Sequence, residues 1–324
     1  MDGIASLALE NLGSPIILSF VLGLVAALAR SDLSVPEAAA KALSIYLLFA
    51  IGFKGGVAVS DHGIEGGLLL ALLAGAALSA LLPFLAFTLL SVLTRLDRLN
   101  AAAVAGHYGS ISIVTFVAAT SVLESQGIAS EGYMVAVAAI MEAPAILSAL
   151  WLVSRGNKGR RMDSELWREI LLNGSIVLLI GAFVIGWITG PTGLTEIAPF
   201  IVAPFKGILC LFLLDMGLVA GRGLLRSRGQ ITGGLVAFGV LMPMIGGIVG
   251  LSVAALLGLS LGGAMLLATL SASASYIAVP AAMRVALPEA DAGIYLTLSL
   301  GITFPFNLTL GIPLYLALSQ SIIG

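Results

Sequence analysis

Apolar residues run through this chain in long blocks, broken at short intervals by charged or turn-forming clusters. The blocks fall at 12–30, 42–60, 66–93, 101–122, 132–153, 170–189, 201–221, 231–258, 263–284 and 292–318. Each is near the ~20 residues that a helix needs to cross a bilayer. The pattern predicts an all-α polytopic membrane protein with ten transmembrane helices. The third and eighth blocks are long enough to tilt. Asp32-Leu33-Ser34-Val35-Pro36 and Asp61-His62-Gly63 are turn-like breaks. A hydrophilic linker, 154–168, carries Arg155, Lys158, Arg160, Arg161 and Arg168 and divides a first unit, 1–153, from a second, 169–324.

Two of the blocks carry polar and helix-weakening residues at their centres. The fourth contains Gly106-His107-Tyr108-Gly109-Ser110-Ile111-Ser112-Ile113-Val114-Thr115, with two glycines three residues apart. The ninth contains Ser271-Ala272-Ser273-Ala274-Ser275-Tyr276-Ile277-Ala278-Val279-Pro280, where Pro280 removes a helical hydrogen bond. Polar groups at bilayer depth cost free energy unless they are paired or line a cavity. We expect two broken helices that meet and hold a solute.

The halves also resemble each other. Ile51-Gly52-Phe53-Lys54-Gly55-Gly56-Val57 aligns with Met216-Gly217-Leu218-Val219-Ala220-Gly221-Arg222, and Leu12-Gly13-Ser14 with Asn173-Gly174-Ser175. Ile140-Met141-Glu142-Ala143-Pro144 resembles Gly301-Ile302-Thr303-Phe304-Pro305. Five spans per half is an odd number, so the halves would be oppositely oriented. A five-plus-five inverted repeat whose fourth and ninth spans break and cross points to a secondary transporter.

Inversion makes the second half-helices of those spans start opposite each other, near Ser110–Ser112 and Ser275–Pro280. Their free backbone N–H groups and positive dipole ends suit an anion. Gly109, Ser110, Ile111, Ser112 and Thr115 from one stretch and Ser273, Ala274, Ser275 and Tyr276 from the other are the candidate anion-binding residues. Free carbonyls and hydroxyls around Tyr108, Ser271 and Ala272 are hard oxygen ligands suited to sodium, with Glu142, Thr303 and Asn307 as further candidates. Each has a rival role. The serines also suit tight helix packing. His107 is a ligand, a proton carrier, or a histidine satisfied by a nearby carbonyl. Glu142 and Asn307 are cation ligands or braces for unwound backbone. Lys54 and Asp215 pair, line a gate, or Lys54 snorkels to the surface.

Composition sharpens the picture. The 324 residues are 59% hydrophobic and 10% charged, with a mean hydropathy of +1.12; a soluble domain carries about 25% charged residues. No basic stripe suggests nucleic acid. One cysteine, Cys210, permits no intrachain disulfide. The start of the chain lacks a basic n-region, so the first span is expected to stay. With the basic linker placed in the cytoplasm, thirteen of the fifteen Lys and Arg residues fall on that side, all but Lys54 and Lys206. Both termini are then non-cytoplasmic, in a plasma or inner membrane. No enzyme is expected: there is no His-Glu-x-x-His and no Gly-x-Ser-x-Gly motif.

The runs His107 to Phe116, Ser271 to Ala282 and Gly301 to Asn307 together resemble the sodium-dependent bicarbonate transporters known from cyanobacteria. The resemblance covers nearly the whole chain. It implies ten spans in a five-plus-five inverted repeat, a core and a gate domain, and a homotrimer in the lipid bilayer. It also implies bicarbonate and sodium bound where spans four and nine cross, with a bicarbonate role for Ser110, Ser112, Ser273 and Ser275. The linker of about fifteen residues departs from the longer insertion of the cyanobacterial members, which puts a PII-like regulator in doubt. Sodium-coupled bicarbonate symport is the leading expectation. Its alternatives are a sodium-coupled carrier of another small or organic anion, or a sodium/proton antiporter. An antiporter needs a carboxylate at the crossing, and neither broken stretch contains one.

Overall fold

A computed structural model of the chain describes residues 13–62, 67–154, 172, 174–226, 231–277, 279–280, 282–283 and 287–324. Among these the regular elements are helical. In chain order they are α1 (Pro15–Leu28), α2 (Glu37–His62), α3 (Leu68–Leu93), α4 (Arg98–Gly109), α5 (Ile113–Ser125), α6 (Met134–Ile140) and α7 (Pro144–Ser154). There follow α8 (Gly174–Ile201), α9 (Phe205–Arg226), α10 (Gly233–Leu257), α11 (Leu261–Ala272) and α12 (Ala292–Ile322). Eight helical stretches are long and apolar enough to cross a membrane, taking α4 with α5 and α6 with α7; α1 and α11 are shorter apolar helices. The chain is a multi-pass membrane protein.

Local chemistry sets the ends. Ser14, Asp97, Ser112, Thr232, Ser260 and Asp291 each turn a side-chain oxygen to a backbone N–H of the first turn of the helix that follows, which satisfies a donor the helix cannot. Gly258, with φ +67°, closes α10 in the left-handed conformation that favours glycine. Three boundaries differ from the sequence expectation. The sixth segment does not stop at 189 but continues to Ile201 across a kink at Gly190 (φ 58°), so Glu196 lies in a helix. The fifth segment is interrupted between α6 and α7. The tenth holds two π-helical turns, Thr297–Thr303 and Asn307–Gly311. Of the linker expected at 154–168, only Ser154 lies among the described residues, so Arg155, Lys158, Arg160, Arg161 and Arg168 fall outside them.

The helices pack as two groups. In the first, α1 lies along α9 and α8 along α2. Both pairings depend on backbone-to-backbone approach. A Cβ on Gly217 would strike the carbonyl of Phe20, and one on Gly56 the carbonyl of Phe183. In the second group, α3 packs on α4 and α7, and α10 on α11 and α12. Exchanging the first half for the second carries each of these pairings onto another. Helices α4 and α11 are 12 residues each and start 163 positions apart. The helix-interior prolines Pro83 and Pro243 stand 160 apart in α3 and α10.

Burial follows this arrangement. The apolar window of Arg98–Ser125 is 100% buried, whereas that of α8 is 22% and that of α3 33% buried. The outer helices therefore carry the lipid-facing surface, and α4, α5 and α11 form the interior.

The glycine contacts generate a prediction. Gly217→Val should cost about 1–3 kcal/mol by overpacking. Gly181→Ala, where a Cβ meets nothing within 4 Å, should be silent. Thermal unfolding of the two purified variants checks this; equal stability would refute the close α1–α9 seam.

Candidate functional site

The two interrupted segments meet at their breaks. Helix α4 ends at Ser110, which is extended (φ −89°, ψ 151°), and α5 restarts behind Ser112. Helix α11 ends at Ser273, also extended (φ −86°, ψ 162°). Beyond it, the Val279 N–H donates to Ser275 Oγ at 3.3 Å, opening the next helical turn. Ser275 N–H donates to His107 O at 2.8 Å. In the other direction, Ser112 N–H donates to Ser273 Oγ at 2.9 Å, and that hydroxyl donates to Leu270 O at 2.8 Å. Leu270 stands 163 residues after His107. The same link is thus direct on one side and bridged by a hydroxyl on the other.

This asymmetry separates the four serines. Ser112 Oγ caps α5, accepting from Thr115 N–H at 3.2 Å and Thr115 Oγ1 at 2.9 Å. Ser273 bridges and Ser275 accepts from Val279. Ser110 Oγ is buried with no partner. Of the stretch Ser110–Ser112, near which the second half-helix was expected to start, Ser110 is the C-cap of α4 and Ser112 the N-cap of α5.

The surrounding helices brace the breaks. Asn307 Nδ2 donates to Ala272 O at 2.8 Å, and Asn307 Oδ1 accepts from Tyr315 OH at 2.9 Å. Thr303 Oγ1 lies 2.6 Å from Gly239 O, which only accepts, so Thr303 donates there and Tyr108 OH donates to Thr303 at 2.6 Å. His107 Nδ1 lies 3.2 Å from Ser275 O, which makes Nδ1 the protonated nitrogen, and the ring stacks 4.4 Å from Tyr295. His107 thus has the carbonyl partner of the satisfied histidine, although its Nε2 has none. Gly109 packs against Pro83 where a side chain would not fit.

Sequence reasoning missed Ser79. This fully buried residue of α3 donates to Met141 O at 2.6 Å and accepts from Ala145 N–H at 3.2 Å, closing the α6–α7 break from outside. The only signal was a serine four positions before Pro83 in an apolar block. That break delivers Glu142 to the crossing. Ile111, Ser112, Ile113, Glu142, Ser275, Tyr276 and Ile277 line a cavity of about 10 Å³, room for about one water. One Glu142 carboxylate oxygen, Ser110 Oγ and Tyr276 OH are buried without a partner. Ser271 Oγ is likewise unpaired but faces Gly250 of α10. Ile111 and Ala274 are buried and contribute backbone. Among the described residues no three His, Cys, Asp or Glu side chains gather as a transition-metal site. The unpartnered atoms of Ser110, Glu142 and Tyr276 are oxygens, the ligands that hard cations take.

Lys54 does not pair with Asp215. It forms an ion pair with Glu124 at 2.7 Å and lies over the Phe205 ring at 4.8 Å. Asp215 is within electrostatic reach of Arg222 instead. The pair joins α2 of the first group to α5 of the second.

The hydroxyl assignments generate a prediction. Ser79→Ala and Ser273→Ala each leave a buried carbonyl or N–H without its partner and should cost about 1–3 kcal/mol. Ser110→Ala removes no bond within the protein and should leave unfolding unchanged. Thermal stability of the three variants, measured without ligand, checks the order; a Ser110→Ala loss as large as the others would contradict it.

No curated protein matches the chain. A family model does, and its match spans residues 15–320, taking in both breaks, Ser79, Glu142 and the π-helical turns of α12. The chain belongs to the Na+-dependent bicarbonate transporter superfamily.

Proposed function

We propose that this protein imports bicarbonate together with sodium by alternating access, holding both at the crossing of its fourth and ninth segments. Sodium-dependent bicarbonate transport is the activity of the family. The observation that carries the reading is the unpartnered Ser110 hydroxyl and Glu142 carboxylate oxygen, buried at one crossing. The N-terminus of α5 supplies N–H donors for an anion. Carbonyl oxygens and Glu142 supply cation ligands. One bicarbonate and one sodium are together neutral, which lowers the cost of carrying either through a low-dielectric interior.

Ten spans in a five-plus-five inverted repeat, units 1–153 and 169–324, is the architecture we propose. The 163-residue offset of α4 and α11 and the exchanged pairings of α1–α9 and α2–α8 support it. The group of α1, α2, α8 and α9 is then the gate, and the remaining helices the core. The distribution of basic residues supports non-cytoplasmic termini, and we place the protein in a plasma membrane. The homotrimer rests on the family resemblance alone.

Glu142 favours one second reading. A sodium/proton antiporter needs a carboxylate at the crossing; the sequence shows none in either broken stretch, and the fifth segment brings one there. Labelled-bicarbonate uptake into proteoliposomes separates the two. Replacing external sodium by choline should abolish concentrative uptake. Glu142→Gln should raise the sodium concentration for half-maximal uptake at least tenfold. Undiminished uptake in choline refutes the symporter, and sodium-driven proton movement without bicarbonate uptake establishes the antiporter.

A further inference from the structure

A cavity of about 530 Å³ opens between the two helix groups. Ser14, Ile17, Lys206 and Cys210, from the start of α1 and of α9, form one wall. Ala118, Ser121, Val122 and Ser125 of α5 and Leu308, Ile312 and Leu316 of α12 form the other. At its far end α9 closes on α12: Leu224 lies against Gly301 and Gly223 beside Thr297. Helices α9 and α12 therefore meet at one end, and α1 and α9 stand apart from α5 and α12 at the cavity, while α2 stays in contact with the second group through Lys54 and Gly55. The open end carries Lys206, one of the two basic residues left on the non-cytoplasmic side by the sequence.

We infer that this cavity is the entry vestibule of the anion, and that Lys206 draws the anion into it. The inference rests on the proposed bicarbonate symport and adds to it a route and a steering residue. The route follows from helix geometry. Thr115, Ala118, Val122 and Ser125 lie on one face of α5, since their spacing follows the helical period. Thr115 is bonded to Ser112 at the crossing, while Ala118, Val122 and Ser125 line the cavity. From Thr115 to Ser125 this face is about 15 Å long. Leu308, on the opposite wall, directly follows Asn307, which braces the crossing.

The charge balance at the mouth picks out Lys206. Lys54 is neutralised by Glu124, the residue next to Ser125. Lys206 has no ion-pair partner among the described residues. Its charge faces walls that are otherwise apolar apart from a few hydroxyls and Gln126. Apolar walls focus the field of a single charge along a cleft and raise the local concentration of its counter-ion. They also offer nothing to hold the anion, as passage requires.

Cys210 provides the test, because it is the sole cysteine of the chain and stands one helical turn from Lys206 on the same wall. Purified protein in oriented proteoliposomes is treated from either side with two impermeant methanethiosulfonates of similar size, one bearing a sulfonate and the other a trimethylammonium. Cys210 should react from the outer side, and the anionic reagent should be favoured. Lys206→Gln should shift the anionic-to-cationic rate ratio down by about two- to tenfold, the effect of one charge at about 10 Å. Lys206→Arg should restore it. In uptake, Lys206→Gln should raise the KM for bicarbonate by a similar factor, more at low salt, with kcat unchanged. Reaction from the cytoplasmic side only, a rate ratio indifferent to Lys206, or labelling only by an uncharged reagent would overturn the inference. Wild-type protein that moves no bicarbonate would refute the proposed function instead, and the labelling ratios would still judge the vestibule.

Discussion

A peptide group in the middle of a bilayer needs a hydrogen-bond partner, and water is not there to supply it. This chain leaves the helical path at three places in its buried interior, after α4, α6 and α11, and must pair what it exposes. It does so by setting the first and last of these breaks against each other. Ser275 N–H meets His107 O, and Ser112 N–H meets Ser273 Oγ. What the breaks cannot supply comes from neighbours, Asn307 for Ala272 O and Ser79 for Met141 O. Such bonds are expensive to leave unmade, so α3, α10 and α12 are held round the crossing as one body. The side-chain atoms left over at the crossing are Ser110 Oγ, Tyr276 OH, His107 Nε2 and a Glu142 oxygen.

The other group is assembled differently. Helices α1 and α9, and α2 and α8, are joined mainly by glycine seams, with one side-chain hydrogen bond from Tyr46 OH to Phe200 O at 2.6 Å between α2 and α8. Packing of small residues is the usual glue between membrane helices, because apolar area gains little where lipid is equally apolar. Between the groups the contacts include the ion pair from Lys54 to Glu124, the packing of Gly55 on Val135 and Gly132, the ring contact of Phe20 with Phe304 and the approach of Leu224 to Gly301. The alternating access we propose asks for two bodies that share a seam that yields, and a division into two helix groups is compatible with it.

Much of this was legible in the sequence because membranes force polar residues to declare themselves. Gly106, Gly109 and Pro280 marked weak helix, and the serines around them marked a place where something is hydrogen-bonded. The roles within the cluster were not legible. Ser110, Ser112, Ser273 and Ser275 look alike in a string of letters; only the crossing shows that three are occupied by backbone. Glu142 lay in a different block, and its arrival at the crossing depends on a break in the fifth segment that Ser79 holds from a third. Lys54 and Glu124 are 70 residues apart, and nothing local pairs them. The continuation of α8 past Gly190 was hidden by Pro191 and Pro199, which usually end a helix.

The central claim is that the anion and sodium share one crossing, with Glu142 and Ser110 as its free side chains. Two ligands at one site are energetically linked, and linkage is reciprocal. Equilibrium binding of bicarbonate to purified protein over a range of sodium, and of sodium over a range of bicarbonate, measures that linkage directly. Sodium should tighten bicarbonate binding, bicarbonate should tighten sodium binding by the same factor, and Glu142→Gln should reduce that factor towards one. Bicarbonate affinity that does not change with sodium would contradict the shared site.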